Sequence, residues 1–268
     1  MAMHQQPVSL TENSIRACIQ DPTLAQHVYY YDCLDSTNNE AKRLIAGAKE
    51  LPLLVVAETQ TAGKGRLGRS FYSPAGSGVY LSLAFDGNAQ PLRATTAAAV
   101  AVVRAITELT ALPVQIKWVN DIYLYDKKIC GILAEAVTDT ATGRIAQVVV
   151  GIGINVTTQA FPEELSDRAG ALDMPNLSRP ALIAGVAEHL LSILNEKTPH
   201  AYMDEYRAHS MVIGKRVRYC QNNGEVFHAT ALGVDDEGGL MVEHDDGVRQ
   251  VLRTGEITLR LDPPACSG

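Results

Sequence analysis

The sequence predicts an α+β protein: a mixed β-sheet backed by helices, with a small β-barrel at its C-terminal end. Three observations carry that prediction. Strand-like apolar runs and helix-like segments interleave through the first four-fifths of the chain. The alanine-rich stretch LRATTAAAVAVVRAITEL, 92–109, has the spacing and composition of a packed helix. Beyond Met211 the character changes to short alternating runs separated by NNG, DDEGG and DDG, which are strong turn signals.

Taken in order, residues 1–27 are mixed and weakly periodic, with one short helix near Ile15. HVYYYDCL, 27–34, reads as a strand and DSTNNEAKRLIAGA as the helix behind it. Thr37 with Glu40 three residues on makes a capping box at that helix start. LPLLVVAE, 51–58, is a continuous Leu/Val run and hence a buried strand. GVYLSLAF, 78–85, alternates and should bury one face. After the long helix come VQIKWV (114–119), DIYLYD (121–126) and ICGILAEAV (129–137), with Lys127 and Lys128 as the tight turn between the last two. RIAQVVVGIGINV, 144–156, is another buried strand, and Pro, Asp and Gly make 157–177 a loop. SRPALIAGVAEHLLSILNEK, 178–197, is a helix capped by Ser178 with Pro180 in its first turn. A short helix at 203–209 closes a large domain, 1–210. KRVRYC, EVFHATALGV, LMVEHD, VRQVLR and EITLRL then give five short strands, an SH3-like barrel forming a second domain, 211–268.

A chain of 268 residues, 46% hydrophobic and 20% charged, can bury one large core and a small one. Its net charge of −7 argues against a general nucleic-acid or membrane-surface binder, which would want a basic face. Cysteines at 18, 33, 130, 220 and 266 form no C-x-x-C pair, pointing to reduced thiols in a cytoplasm rather than a disulfide frame or zinc site. MAMHQQPVSLTEN lacks the parts of a signal peptide, and the apolar run 97–103 stops at Arg104, far short of a membrane span. Histidines and cysteines gather nowhere, so nucleophilic and metal-hydrolase chemistry find no support.

TAGKGRLGRSFYSPAGSG, 61–78, holds a G-x-G-x-x-G pattern in Gly63, Gly65 and Gly68. A dinucleotide-binding turn must close a strand and open a helix, so that pyrophosphate meets the helix N-terminus. The strand is present and Asp86 lies at a tempting distance, but Pro74, Gly76 and Gly78 leave no room for a helix. No Gly-Lys-Ser/Thr closes a P-loop either. What remains is a flexible loop carrying Lys64, Arg66 and Arg69 behind a buried strand. Its glycines let backbone approach a ligand, and clustered cations on an acidic protein suit a phosphate or carboxylate. The plainer alternative is a solvated basic surface loop.

GKGRLGR, KWVND, KKICGILAE and GIGIN, in this order and spacing, resemble the biotin protein ligases over residues 35–155 and, more loosely, through the terminal barrel. The resemblance implies a class II synthetase-like catalytic domain that binds biotin and ATP. It also implies a two-step reaction: biotin and Mg-ATP (ATP with Mg2+) give biotinyl-5′-AMP and pyrophosphate, and a lysine amine then takes the biotin. That lysine belongs to a biotin carboxyl carrier protein, of acetyl-CoA carboxylase or a related carboxylase. Relatives that repress transcription add an N-terminal helix-turn-helix domain. The roughly 27 residues before the first strand are too few for one, so no DNA partner is expected. A lipoate ligase shares the fold, but GKGRLGR and KKICGILAE favour biotin. The sequence leaves the carrier, and monomer against homodimer, open.

Each motif has a plain role beside the implied one. Ser36, Thr37 and Asn38 start a helix and can cap it; the resemblance adds hydrogen bonds to the ureido head of biotin, for which they offer donors and acceptors. Gln60 is a polar strand terminus or a second reader of the ureido group. The resemblance wraps Gly63, Lys64, Gly65, Arg66 and Arg69 around the biotin tail and the adenylate phosphate, with Arg66 as main cation on the acyl-phosphate. Lys64 stands where relatives usually carry Arg, so charge is kept and the bidentate fork lost. Asn120-Asp121 is good turn chemistry, yet Lys117, Asn120 and Asp121 also suit ATP phosphates, with Asp121 the candidate Mg2+ ligand. Trp118 reads as core, and Val119 replaces a usual Pro. Lys128, by default an exposed turn residue, is implied to meet the biotin carboxylate and the α-phosphate, offsetting charge as one attacks the other. Lys128 and Arg66 are therefore the catalytic candidates. Gly131, Gly151 and Gly153 interrupt buried strands and mark close approach, which biotin's flat bicyclic ring would explain. Asn155 is implied as a nucleotide contact, and Phe71 replaces the aromatic that stacks near adenine in relatives.

Overall fold

Leucines and valines that alternate across two faces decide how the layers stack. The computed structural model describes residues 9–87, 91–220, 225–253 and 258–261. Strand β1 (Val28–Leu34) pairs parallel with β2 (Leu53–Gln60), because the helix α3 (Thr37–Ala46) crosses between them. All other neighbours in this sheet are antiparallel: β3 (Gly78–Asp86), β4 (Val114–Lys117), β5 (Asp121–Leu124), β6 (Lys127–Thr138) and β7 (Ile145–Asn155). The seven strands lie in the order β1-β2-β3-β7-β6-β5-β4.

On one face Val79, Leu81, Leu83 and Phe85 of β3 join the main core under α4 (Pro91–Thr110) and α6 (Arg179–Leu194). The alanines of α4 let that helix lie close between sheet and α6. On the other face Ala84 packs with Leu53, Val55, Val149 and Ala41 of α3 in a smaller core. β3 therefore buries both faces, Tyr80 and Ser82 included, where alternation suggested one. The second face is dry because α3 returns across it.

Two short helices, α1 (Glu12–Arg16) and α2 (Pro22–Gln26), precede β1 and plug Ile15 and Leu24 into the main core. α3 starts differently from expectation. Ser36 is its N-cap and makes no side-chain cap bond, while Glu40 turns to the Tyr31 hydroxyl and Arg43. The N–H of Thr37 is satisfied instead by Gln60 Oε1 at 2.8 Å, so a tertiary partner replaces the capping box. The β5–β6 turn is also shifted: Tyr125, at φ 53°, and Asp126 make it, and Lys127 and Lys128 open β6. The segment expected as a plain loop holds α5 (Glu163–Ser166). Ser178 caps α6 as expected, accepting from Ala181 N at 3.3 Å.

After α7 (Met203–Ala208) the chain forms an antiparallel five-stranded sheet in the order β11-β10-β9-β8-β12: β8 (Arg216–Cys220), β9 (Val226–Val234), β10 (Leu240–Glu243), β11 (Arg249–Leu252) and β12 (Thr258–Leu261). Its apolar interior, with Val217, Tyr219, Ala229 and Leu240, is continuous with the main core. Trp118 joins the two parts by donating Nε1–H to the buried carbonyl of Gly238 at 2.8 Å. Arg207 does the same to Val234 O at 2.7 Å. Trp118→Phe should lower unfolding stability by about 2 kcal/mol, since it leaves that carbonyl unsatisfied. Denaturant unfolding checks this, and an unchanged midpoint would remove Trp118 from the junction. Among the described residues no helix is long and apolar enough to cross a membrane, and Cys18, Cys33 and Cys130 are free. Cys266 lies outside them.

Candidate active site

Cross-strand pairing sets Lys117, Asp121, Gly131, Gly153, Tyr80 and Ala57 on one line across the large sheet. Paired residues share a face, and this is the face that α3 covers only in part. Leu133, Gly151, Ser82 and Val55 form the next line. From Gly153 to Lys117 is three strand spacings, roughly 14 Å, enough for an extended acyl chain and a phosphate.

Lys128 reaches this face through a β-bulge. The β5–β6 register pairs Ile122 with Cys130 and Tyr123 with Lys128, leaving Ile129 unopposed. A regular ladder would put Lys128 on the core face with Cys130. The bulge re-aims it, so that Nζ lies 3.3 Å from where a Cβ on Gly131 would sit. There it pairs with Asp121 Oδ1 at 2.5 Å.

Ser36, Thr37, Asn38, Gln60, Lys64, Phe71, Gly131, Leu133, Gly151, Ile152 and Gly153 enclose a crevice of about 20 Å3, room for one water. It is small because the protein's own side chains stand over the glycines. A Cβ on Gly153 would overlap the Phe71 ring, and one on Gly151 would overlap the Asn38 amide. Close approach at these glycines is thus real, but in this structure Phe71, Lys128 and Asn38 make it. Phe71 lies edge-on to Tyr80, with ring centroids 6.3 Å apart, over the glycine floor.

The polar end of the crevice is built by the β1–α3 junction. Ser36 is 1% exposed, and among the described residues its hydroxyl has no partner. The Thr37 hydroxyl lies 3.2 Å from Gln60 Oε1, and Gln60 Nε2 donates to Ser73 Oγ at 3.0 Å. Asn38 is 3% exposed and committed inside the protein, donating to Glu135 Oε2 at 2.7 Å and accepting from Ser82 at 2.6 Å. Sequence reasoning missed Glu135 and Ser82. The lone hydroxyl in the apolar run GVYLSLAF was the available signal for Ser82.

The glycine loop closes as a hairpin, with Phe71 N donating to Gly63 O at 2.9 Å and Gly65 N to Arg69 O at 2.7 Å. Gly63 is needed by the hairpin itself, since a Cβ there would lie 2.5 Å from Phe71 O. Lys64 Nζ donates to Asn39 Oδ1 at 2.5 Å, and Arg69 is exposed, off the crevice wall. Arg66 opens one turn of 3-10 helix, Arg66–Gly68, and donates to Asn120 Oδ1 at 3.0 Å. Burial pulls its guanidinium pKa down, against the pull of Asp121 and together with Arg69. Half-buried with only a neutral hydrogen-bond partner, the Arg66 guanidinium has the chemistry to take an anion. Asn120 is held by Nδ2 on Ile132 O at 2.9 Å. Lys117 Nζ stands 5.2 Å over the Tyr123 ring. Asn155, at the end of β7, donates to Gly170 O at 2.9 Å, while its Oδ1 is buried without a partner. Such an acceptor costs about 1–3 kcal/mol unless something donates to it, and an exocyclic amino group of a base would. One carboxylate, Asp121, faces the cations, which suits an ion that arrives on phosphate oxygens. No group of three or more potential metal ligands exists among the described residues.

Known proteins match this one along most of the chain. Residues 30–155 match the Biotin/lipoate A/B protein ligase family, and residues 212–260 match the Biotin protein ligase C terminal domain. The bifunctional ligase/repressor BirA of Bacillus subtilis is 36% identical over 264 residues, covering 92% of this chain and 78% of that protein. The biotin--[acetyl-CoA-carboxylase] ligase of Mycobacterium tuberculosis is 34% identical over 225 residues, 78% of this chain and 80% of that one. The structure of biotin protein ligase from Aquifex aeolicus in complex with biotin and ATP aligns with a TM-score of 0.75 at 28% identity, covering 88% of this chain and all of that one. Similarity of this extent, across both the mixed sheet and the terminal one, makes the chain a member of the biotin protein ligase family.

Proposed function

We propose that this protein is a biotin–[acetyl-CoA-carboxylase] ligase. It activates biotin with ATP to biotinyl-5′-AMP and transfers the biotin to one lysine of a biotin carboxyl carrier protein of acetyl-CoA carboxylase or a related carboxylase. One observation carries the reading: a single line of the sheet joins a polar pocket with a free hydroxyl, a glycine floor and a cluster of cations. Residues 1–210 carry the chemistry, and 211–268 form the accessory barrel. Free thiols and the need for ATP fit a cytoplasmic setting.

In this reading Ser36, Thr37 and Gln60 bind the ureido head, with Asn38 behind them. The bicyclic ring lies on Gly131, Gly151 and Gly153, and the loop of Gly63, Lys64 and Gly65 closes over the tail. Phe71, implied by the resemblance to stand near adenine, has its ring over Gly153 and is placed here on the biotin side instead. Lys128 and Arg66 bracket the biotin carboxylate and the α-phosphate. A carboxylate oxygen attacks the α-phosphorus, the bond to pyrophosphate breaks, and the two cations offset the charge that builds between them. The carrier amine then attacks the acyl carbon, the C–O bond to AMP breaks, and nitrogen gives up a proton. Lys117, Asn120 and Arg69 hold the remaining phosphates, and Asn155 meets the base. Mg2+, when bound, would be held by Asp121 with phosphate oxygens and would neutralise phosphate charge.

With biotin, ATP and a carrier domain, one carrier lysine should gain the mass of biotinyl. Lipoate should give none; equal gain from lipoate would shift the assignment within the family. Because a ligand on the floor takes the space of Phe71, the loop must lift and re-close. Trypsin cleavage after Lys64 and Arg66 should slow when biotin and ATP are added, and equal rates would leave the loop out of binding. We assign no DNA partner on the net charge of −7. A salt-sensitive, sequence-specific shift of duplex DNA would overturn that.

A further inference from the structure

Behind the pocket wall runs a chain of polar groups that the reaction above does not touch. Asn38 and Lys42 stand one turn apart on α3 and both reach Glu135 of β6. Lys42 Nζ donates to Glu135 Oε1 at 2.7 Å, and Asn38 Nδ2 donates to Oε2, also at 2.7 Å. Each carboxylate oxygen thus serves one donor. Burial alone would raise the Glu135 pKa, but the bonds from Lys42 and Asn38 outweigh it and hold the group below its ordinary value, as an anion.

An amide presents donors on one side and an acceptor on the other. With Nδ2 on Glu135, and 3.3 Å from Leu133 O, Asn38 must turn Oδ1 the opposite way, onto the Ser82 hydroxyl at 2.6 Å. That hydroxyl has one proton and lies 2.8 Å from Thr37 Oγ1 as well. With that proton donated to Asn38, the 2.8 Å contact is closed by the Thr37 proton on Ser82 Oγ, in preference to the longer 3.2 Å contact with Gln60 Oε1, and Thr37 keeps its lone pairs for the crevice.

We propose that Glu135 is a positioning residue that sets the hydrogen-bond polarity of the pocket wall: it fixes the Asn38 amide, Ser82 therefore points away from Thr37, and Thr37 is left as an acceptor for a ligand N–H. This rests on the ligase reading, in which the wall meets the cyclic urea of biotin.

Glu135→Gln gives a distinctive test because an amide has one oxygen where the carboxylate has two. Lys42, a charged donor, outcompetes the neutral Asn38 amide for that oxygen, so the Gln NH2 faces Asn38 Nδ2, donor against donor. On the full-length protein, biotin-dependent pyrophosphate exchange should show the biotin KM raised about tenfold, with kcat and the ATP KM within about threefold of wild type. Lys42→Met in addition frees the Gln oxygen for Asn38, and the double variant should return towards the wild-type biotin KM. A structural role alone predicts no such rescue, since two lost contacts would then be worse than one. An unchanged biotin KM in Glu135→Gln, or a double variant no better than the single, overturns the proposal. If Glu135→Gln does not fold, Ser82→Ala decides: a raised biotin KM is expected, and an unchanged one rejects the relay. Wild-type protein with no biotin-dependent exchange would instead reject the ligase reading.

Discussion

Replacing Lys128 with methionine should slow biotin-dependent pyrophosphate exchange by at least about a hundredfold, roughly 3 kcal/mol in barrier, the scale for losing one preorganised contact to developing charge. The bulge that opposes Lys128 to Tyr123 aims its ammonium along the Gly131 face towards Asp121. If it meets both carboxylate and α-phosphate, its charge matters most while the bond between them forms. Transfer from pre-made biotinyl-AMP to the carrier should suffer less, because the acyl-phosphate bond already exists. Lys128→Arg should recover only part, as a planar fork does not replace a point charge in a tight site. Lys117→Met should behave differently, raising the ATP KM more than it changes biotin binding. Normal adenylation in Lys128→Met would make Lys128 a structural partner of Asp121 and nothing more.

Gly151→Ala should be the most damaging single methyl group on the glycine floor of Gly131, Gly151 and Gly153. The new Cβ overlaps the Asn38 amide, which cannot give way because Glu135 and Ser82 hold it from both sides. Overpacking at about 1–3 kcal/mol adds to broken buried hydrogen bonds of about 1–3 kcal/mol. The stability loss should come with a much weakened affinity for biotin. Gly153→Ala collides with Phe71, which sits on a loop and can move, and Gly131→Ala meets the flexible end of Lys128 at 3.3 Å. Thermal unfolding should therefore rank the losses Gly151→Ala well above Gly153→Ala, and that above Gly131→Ala. Equal losses would mean that the floor yields uniformly and the Asn38 network is soft.

Local pattern carried the strands and helices, and the order of four motifs carried the family. What pattern could not supply were partners distant along the chain. The capping box of Thr37 and Glu40 obeyed the local rule, yet Gln60, 23 residues on, satisfied Thr37 first. Glu135 passed as an ordinary strand residue because its partners Asn38 and Lys42 lie 97 and 93 positions away. A bulge adds one unpaired residue without any mark in the sequence, so Lys128 read as a turn even while the family resemblance assigned it chemistry. The glycines were recognised as points of close approach, but only the fold shows that Asn38 and Phe71 are what approaches.

Exchange of labelled pyrophosphate into ATP by the pure protein, with biotin and with lipoate side by side, tests the central claim most directly. Exchange that requires biotin and is absent with lipoate is the result expected from a pocket that reads a cyclic urea at Ser36, Thr37 and Gln60. Exchange driven equally by lipoate, or none with either acid, would contradict it.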